Sequence, residues 1–425
     1  MLGMQKRLSK SFYAIIGLPS TAMGFALCIQ ISALSWLLST RYGLAIDEIG
    51  IVWAAGPIAG ILGQVLIGFV SDKTWLWGGR RRPYILVGGS LAALMVFLLP
   101  RIDVVAGLLG IGNLLVVAVI VALTLDLSIN IGFNPTRSLV ADVTPEGAAR
   151  TRGFTWMQTI SGFWGVMAYL IGAFIDNYTL ISVGVLLVFA FSVVPVFFIE
   201  EPRALSIKDE QVAATRTEWG QLWRLYIAHG IAWLGVQSMF VYIIAFIQQH
   251  IVPAGASAAE ASALSGQVIS ISFAIMNCVG FLLPALVLAP IAQRIGRVRT
   301  QAGCVGIMAM GYLLIATVAR TPAVLYVLMA VVGIGWAAIV SLPFAIMSEK
   351  VDKSRMGFFM GVFNLSVVIP HLLSTGVGFV LKVSPDKSTL FYICAGCLAT
   401  SAVLWMLVSD RHEMAAASPA LAPAH

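Results

Sequence analysis

Asp126-Leu-Ser-Ile-Asn130-Ile-Gly-Phe-Asn-Pro135-Thr-Arg137-Ser-Leu-Val-Ala-Asp142 follows an apolar run, Leu114 to Leu125, that carries no charge. Asp126 therefore falls inside a hydrophobic segment, where a carboxylate is costly and marks function by default. A helix turns about 100° per residue, which puts Asn130 about 40° and Arg137 about 20° from Asp126, the arginine roughly 16 Å further along. An acid, an amide and a guanidinium then share one face, provided the helix runs through Pro135, which lies near the opposite face and is where a kink would fall. Such a face belongs towards a wet cavity and not towards lipid. The opposing reading is a structural ion pair between Asp126 and Arg137, and Asn130 reads equally as a helix–helix hydrogen bond.

The chain around this stretch is a membrane protein by composition. Hydrophobic residues make up 59% and charged residues 11%, against about 25% charged in a soluble domain, and the mean hydropathy is +0.94. Twelve apolar segments can be read, at roughly 12–38, 49–71, 83–100, 106–138, 154–175, 179–199, 222–247, 266–289, 300–319, 322–347, 356–381 and 388–408, each able to cross about 30 Å as a helix. The expected fold is an all-α membrane protein of twelve transmembrane helices in two six-helix bundles. The bundles are residues 1–200 and 222–412, joined by a cytoplasmic linker at 201–221 and followed by a disordered tail at 413–425.

Sorting the basic residues by the side on which these segments place them gives 21 on one side and 5 (Arg41, Arg101, Arg320, Lys382 and Lys387) on the other. The positive-inside rule then puts both termini in the cytoplasm. The short loops fit a bacterial inner membrane. The net charge of +7 is spread over loops in a topology pattern, so no nucleic-acid partner is expected. Cys28, Cys278, Cys304, Cys394 and Cys397 all lie in apolar runs and read as buried thiols, not as disulfides or metal ligands.

The halves echo each other weakly: Pro135 to Gly153 and Pro343 to Gly357 both run proline, charged stretch, glycine. Parallel halves are the build of a secondary transporter with its substrate site near mid-membrane. The second segment ends Gly56-Pro57-Ile-Ala-Gly60-Ile-Leu-Gly63-Gln64-Val-Leu-Ile-Gly68-Phe-Val-Ser71-Asp72, then Gly78-Gly79-Arg80-Arg81-Arg82-Pro83-Tyr84. Its glycines allow close helix packing. Asp72 is placed to pair with Arg80 and Arg81 as a latch, the plainer reading being a topology anchor. Asp142, Arg150 and Arg152 sit at cytoplasmic ends and read as further latch residues.

Gly68-x-x-x-Asp72 followed by Gly79-Arg80-Arg81 resembles the loop signature of the major facilitator superfamily. The longer string, together with Asp126, Asn130, Pro135, Arg137 and Asp142, Leu342-Pro343-Phe344-Ala345 and Gly361-Val-Phe-Asn364-Leu-Ser-Val-Val-Ile-Pro370, resembles the narrower family of plant sucrose/proton symporters and their animal and bacterial relatives. The resemblance covers essentially all twelve segments. It departs at His371, where glutamine is usual in the plant members, and at Lys73, where arginine is usual; the first segment matches only around Gly24 to Leu27 and Gln30. It implies that Asp126 and Arg137 take part in proton coupling and sugar recognition.

A sugar site also needs flat apolar faces and amide or hydroxyl partners. Gln30, Trp53, Gln158, Gln237, Trp336, Asn364 and His371 are the candidates within segments, each with ordinary helix packing as the competing account. His229 and His250 fit no pattern. The expected function is proton-coupled import of sucrose or a related disaccharide or glucoside, by a monomer whose partners are sugar, proton and bilayer, with no cofactor and no metal. Sodium-coupled or uncoupled sugar transport and a drug/proton antiporter are the alternatives, followed by a non-transporting sensor. No nucleophile–base pair, metal-ligand spacing or phosphate loop supports an enzyme.

Overall fold

The computed structural model describes residues 2–145, 148–201, 217–348, 350–351 and 356–409. Among them the regular secondary structure is helical throughout, apart from one isolated bridge. A chain that must satisfy every backbone group inside lipid has few other choices. The helices of the first half are α1 (Leu2–Lys6), α2 (Lys10–Ile29), α3 (Ser35–Thr40), α4 (Ile46–Lys73), α5 (Arg82–Leu98), α6 (Ile102–Leu109), α7 (Leu114–Val143), α8 (Ala148–Phe174) and α9 (Asn177–Val193). Those of the second half are α10 (Trp219–His250), α11 (Ala258–Leu283), α12 (Ala289–Ile295), α13 (Arg297–Val318), α14 (Pro322–Ser348), α15 (Met356–Val383) and α16 (Thr389–Trp405). Among the described residues, ten stretches are long and apolar enough to span a membrane; α4, at 28 residues, and the shorter apolar α16 stand at the positions of the other two expected segments. Large apolar side chains such as Leu186, Phe163 and Val327 face outward, as lipid-facing surface must. Cys304 and Cys394 are buried, and all five cysteines are free thiols.

One boundary differs from expectation. The third segment does not end near residue 100. A single 3-10 turn, Leu99–Arg101, carries it into α6, and the apolar stretch runs from Arg82 to Leu109. Proline is tolerated at the start of a helical turn, where its missing N–H is not needed. The break comes instead at Gly110, whose φ of +66° suits glycine, and α7 restarts where the Asn113 side chain accepts from Leu115 N.

α7 is continuous through Pro135. The Thr136 hydroxyl turns back to the Phe133 carbonyl at 2.8 Å, giving a local polar contact beside the proline. Asp126, Asn130 and Arg137 therefore do lie on one unbroken helix.

By contacts the chain forms two units. The first comprises residues 1–209, 240–274 and 375–387; the second comprises 210–239, 275–374 and 388–425. One core of the first unit gathers Phe12, Tyr13, Ile16, Ile85, Leu139, Val140 and Met157. One core of the second gathers Leu222, Leu225, Tyr226, Met347, Phe359 and Trp405. Residues 202–216 of the expected linker and the expected tail lie outside the described residues.

Candidate functional site

In the first unit, Asp126 is 8% exposed. Its Oδ2 accepts from Gln30 Nε2 at 2.9 Å. Its carboxylate lies against a glycine of α4: a Cβ at Gly56 would stand 2.9 Å from Oδ2 and 3.1 Å from Cγ. One turn on, Gly60 faces Asn130, whose Nδ2 donates to the Asp126 carbonyl at 2.8 Å. The glycines that sequence assigns to helix packing thus make room for the polar face of α7. Trp53, a turn earlier on α4, is buried and donates from Nε1 to Ser35 Oγ at 2.8 Å.

Arg137 does not pair with Asp126. It makes no ion pair among the described residues; its guanidinium lies 4.8 Å from the centroid of the Phe133 ring, and the side chain is exposed. The separation of about 16 Å along the helix disposes of the structural ion pair. An exposed guanidinium within an apolar helix is a donor fork without a carboxylate. Gln158 on α8 is likewise exposed.

The first span is interrupted just at Gln30. Between α2 and α3 the segment Gln30–Leu34 is a π-helical turn, a feature that favours functional sites because it re-aims side chains. Sequence pattern carries no signal for it.

The basic loop has a definite architecture. Trp77 and Gly78 both have positive φ, 50° and 75°, and the flanking Leu76 and Gly79 exchange two backbone hydrogen bonds at 2.9 and 3.1 Å. That is the geometry of a tight two-residue hairpin turn. It brings the start of α5 onto Glu201, whose carboxylate accepts from the backbone N–H of Arg80, Arg81 and Arg82 at 2.7 to 2.8 Å. Gly79 is needed beside it: a Cβ there would stand 2.5 Å from Glu201 Oε1. Arg81 is buried and donates to Asp142 Oδ2 at 3.0 Å and to Ser71 Oγ at 2.8 Å, joining α5, α7 and α4. Two of the expected latch residues, Arg81 and Asp142, are thus brought together. The side chains of Asp72, Arg150 and Arg152 lie outside the described residues.

At the other end of the first unit, Lys382 Nζ donates to Asp47 Oδ2 at 2.8 Å. The ammonium holds the Asp47 carboxyl below the ordinary aspartate range. A depressed folded pKa means stability that is complete above the unfolded value of about 4 and lost as pH falls through the folded value. The melting-temperature difference between the native chain and Asp47→Asn is therefore expected to stay constant from pH 8 to about 5 and to close below about 4. A difference that already closes between pH 7 and 5 would contradict this reading of the pair.

In the second unit, the Gln237 amide of α10 meets His371 Nε2 of α15 at 2.9 Å. Trp336 of α14 donates from Nε1 to Asn277 Oδ1 of α11 at 3.3 Å. Asn364 is half-buried on α15. Three residues missed in the sequence join this group. Trp233 packs edge-on to Trp336, with centroids 5.7 Å apart, and donates from Nε1 to His229 Nε2 at 2.9 Å, while His229 stacks on Phe363 at 4.8 Å. The third is Asn277. The signal for the first two was present: His229, Trp233 and Gln237 recur every four residues, one stripe of α10.

These features can be set beside known proteins. The profile of the Major Facilitator Superfamily matches residues 14–375. A general alpha-glucoside permease of Schizosaccharomyces pombe is 26% identical over 190 residues, 40% of this chain and 34% of the permease. The sucrose transport protein SUT5 of Oryza sativa subsp. indica is 34% identical over 94 residues, 22% of this chain and 17% of that protein. Both matches span well under two thirds of the relatives' length. Among solved structures, a single-residue variant of the nucleoside transporter NupG superposes with a TM-score of 0.75 at 15% identity, covering 94% of this chain and 100% of that one. Matched from its first span into α15, the chain belongs to the Major Facilitator Superfamily, a family of transporters and not of enzymes.

Proposed function

We propose that the chain is a proton-coupled secondary transporter that imports sucrose or a related disaccharide or glucoside by alternating access. The observation that carries this reading is Asp126: a carboxylate buried within a membrane helix, hydrogen-bonded by one neutral amide and left unpaired by the arginine on its own face. A carboxylate in that setting can take and release a proton, and a buried structural pair is not there to explain it. Arg137, exposed and without a carboxylate, supplies donors for sugar hydroxyls. The relatives named above as glucoside permease and sucrose transport protein support the substrate class.

In this reading the basic loops and both termini lie in the cytoplasm of a bacterial inner membrane, the Arg81–Asp142–Ser71 cluster latches the inner end, and the Asp47–Lys382 end faces outward. Gln30 orients Asp126, while Asn130, Trp53, Gln158, Gln237, Trp336, Asn364 and His371 remain candidate sugar contacts.

The test is uptake of labelled sucrose and maltose into proteoliposomes, with an inward proton gradient imposed or collapsed by an uncoupler. Accumulation that requires the gradient is expected. Equilibration that ignores the gradient would reduce the protein to a facilitator, and uptake of neither sugar would overturn the substrate.

A further inference from the structure

The polar side chains between Gln30 and Thr40 are unusual in an apolar span, and nearly every one is committed to a different helix of the first unit. Gln30 donates to Asp126 on α7. Two residues on, the Ser32 and Ser270 hydroxyls are 2.9 Å apart, joining the π turn to α11. Ser35 accepts from Trp53 on α4. Trp36 donates from Nε1 to the Ser262 carbonyl of α11 at 2.7 Å. Ser39 exchanges hydrogen bonds with Gln248 near the end of α10. One eleven-residue stretch therefore touches the buried carboxylate at one end and the outer ends of α10 and α11 at the other.

The π turn Gln30–Leu34 sits between these two sets of contacts. It holds one residue more than an α-helical turn; moving that extra residue along the chain re-aims the side chains it passes, and losing it rotates everything beyond. An element that can be redistributed in this way is what a physical account of coupling needs. Gln30, its first residue, is held by a bond to a charged acceptor, and such bonds weaken when the acceptor is neutralised.

We propose that the π turn couples Asp126 to closure of the outer end, with Gln30 as a positioning residue and not a sugar contact. When Asp126 is neutral the Gln30 bond slackens, the turn rearranges, and the Ser32, Trp36 and Ser39 contacts loosen together. This rests on the proton-coupled reading for its purpose, but its test does not.

The reporter is Ser39→Cys, a near-isosteric change at a half-buried closing contact. Its labelling by a membrane-impermeant maleimide is measured against the parent chain, whose own cysteines give the blank. In that background Asp126→Asn mimics the neutral acid. Labelling is expected to rise about fivefold, the difference between a charged and a neutral hydrogen bond. With Gln30→Met also present, which keeps bulk but removes the donor, Asp126→Asn should add nothing. Should Gln30→Met fail to fold, Ser32→Ala, which severs the turn from α11 without touching Asp126, takes its place with the same expectation. Labelling that rises equally with and without the intact link, or that does not respond to Asp126→Asn, overturns the proposal. Failure of proton symport would appear only in the uptake assay, so the two outcomes stay distinct.

Discussion

Asp126→Asn is expected to leave a folded protein that still exchanges sugar across the membrane but no longer accumulates it. The substitution keeps shape and keeps an oxygen for Gln30 Nε2, which stands 2.9 Å from Oδ2 in the native chain. It removes a charge from a site where a charge is costly, so stability should not fall. What disappears is the titrating group. One proton moving down 100 mV is worth about 2.3 kcal/mol, enough for an accumulation ratio of about fifty. The ratio should fall to one, while counterflow of labelled against unlabelled sugar persists. A variant that still accumulates sugar under the gradient would remove Asp126 from the coupling step.

Gly50→Ala is the second substitution with a large expected effect. Tyr242 of α10 is fully buried, and its hydroxyl lies between two glycines. A Cβ at Gly50 of α4 would stand 2.1 Å from that oxygen and 3.2 Å from Cζ; one at Gly378 of α15 would stand 2.6 Å from the oxygen. The Asp47–Lys382 pair lies about one turn further out on the same two helices. A single methyl group therefore has no room while these three helices are together, and overpacking of this kind costs about 1–3 kcal/mol. If the outer end must close in each cycle, the maximal uptake rate should fall by about tenfold or more at that cost, with sugar still binding from outside. Adding Tyr242→Phe deletes the nearest atom and should restore part of the rate. Equal loss in the single and double variants would mean that the phenol is not what the methyl meets.

How much of this was readable in advance depends on the range of each interaction. The shared face of Asp126, Asn130 and Arg137 follows from the helical repeat alone, and a lipid environment leaves that stretch little choice but to be helical. Pro135 did not break it. The end of the third span differs from the sequence expectation because Pro100-Arg101 looks like a terminus, whereas the backbone crosses it in one 3-10 turn and stops at a glycine with positive φ. Gln30 was recognisable as a polar residue in an apolar span. Its partner is 96 residues away, so its role as a donor to Asp126 was not. The π turn is invisible for a different reason: Gln-Ile-Ser-Ala-Leu is unremarkable helical sequence. In the second unit the four-residue recurrence of His229, Trp233 and Gln237 is legible, but a histidine near a helix start suggests no chemistry until its ring is seen stacked on Phe363.

Glu201 has a bearing on how such a chain can change over time. Its carboxylate closes the start of α5 with three backbone donors, and Glu200 beside it exchanges hydrogen bonds with the Gln5 side chain at 2.8 and 3.0 Å. The first half is therefore tied off at this acid. Lengthening that connection adds only about 0.6 kcal/mol of closure entropy for each doubling. The joint after Glu201 is thus where an insertion, a fused regulatory domain or even a division into two separately encoded polypeptides would meet the least resistance, whereas the same insertion a few residues earlier would uncap α5.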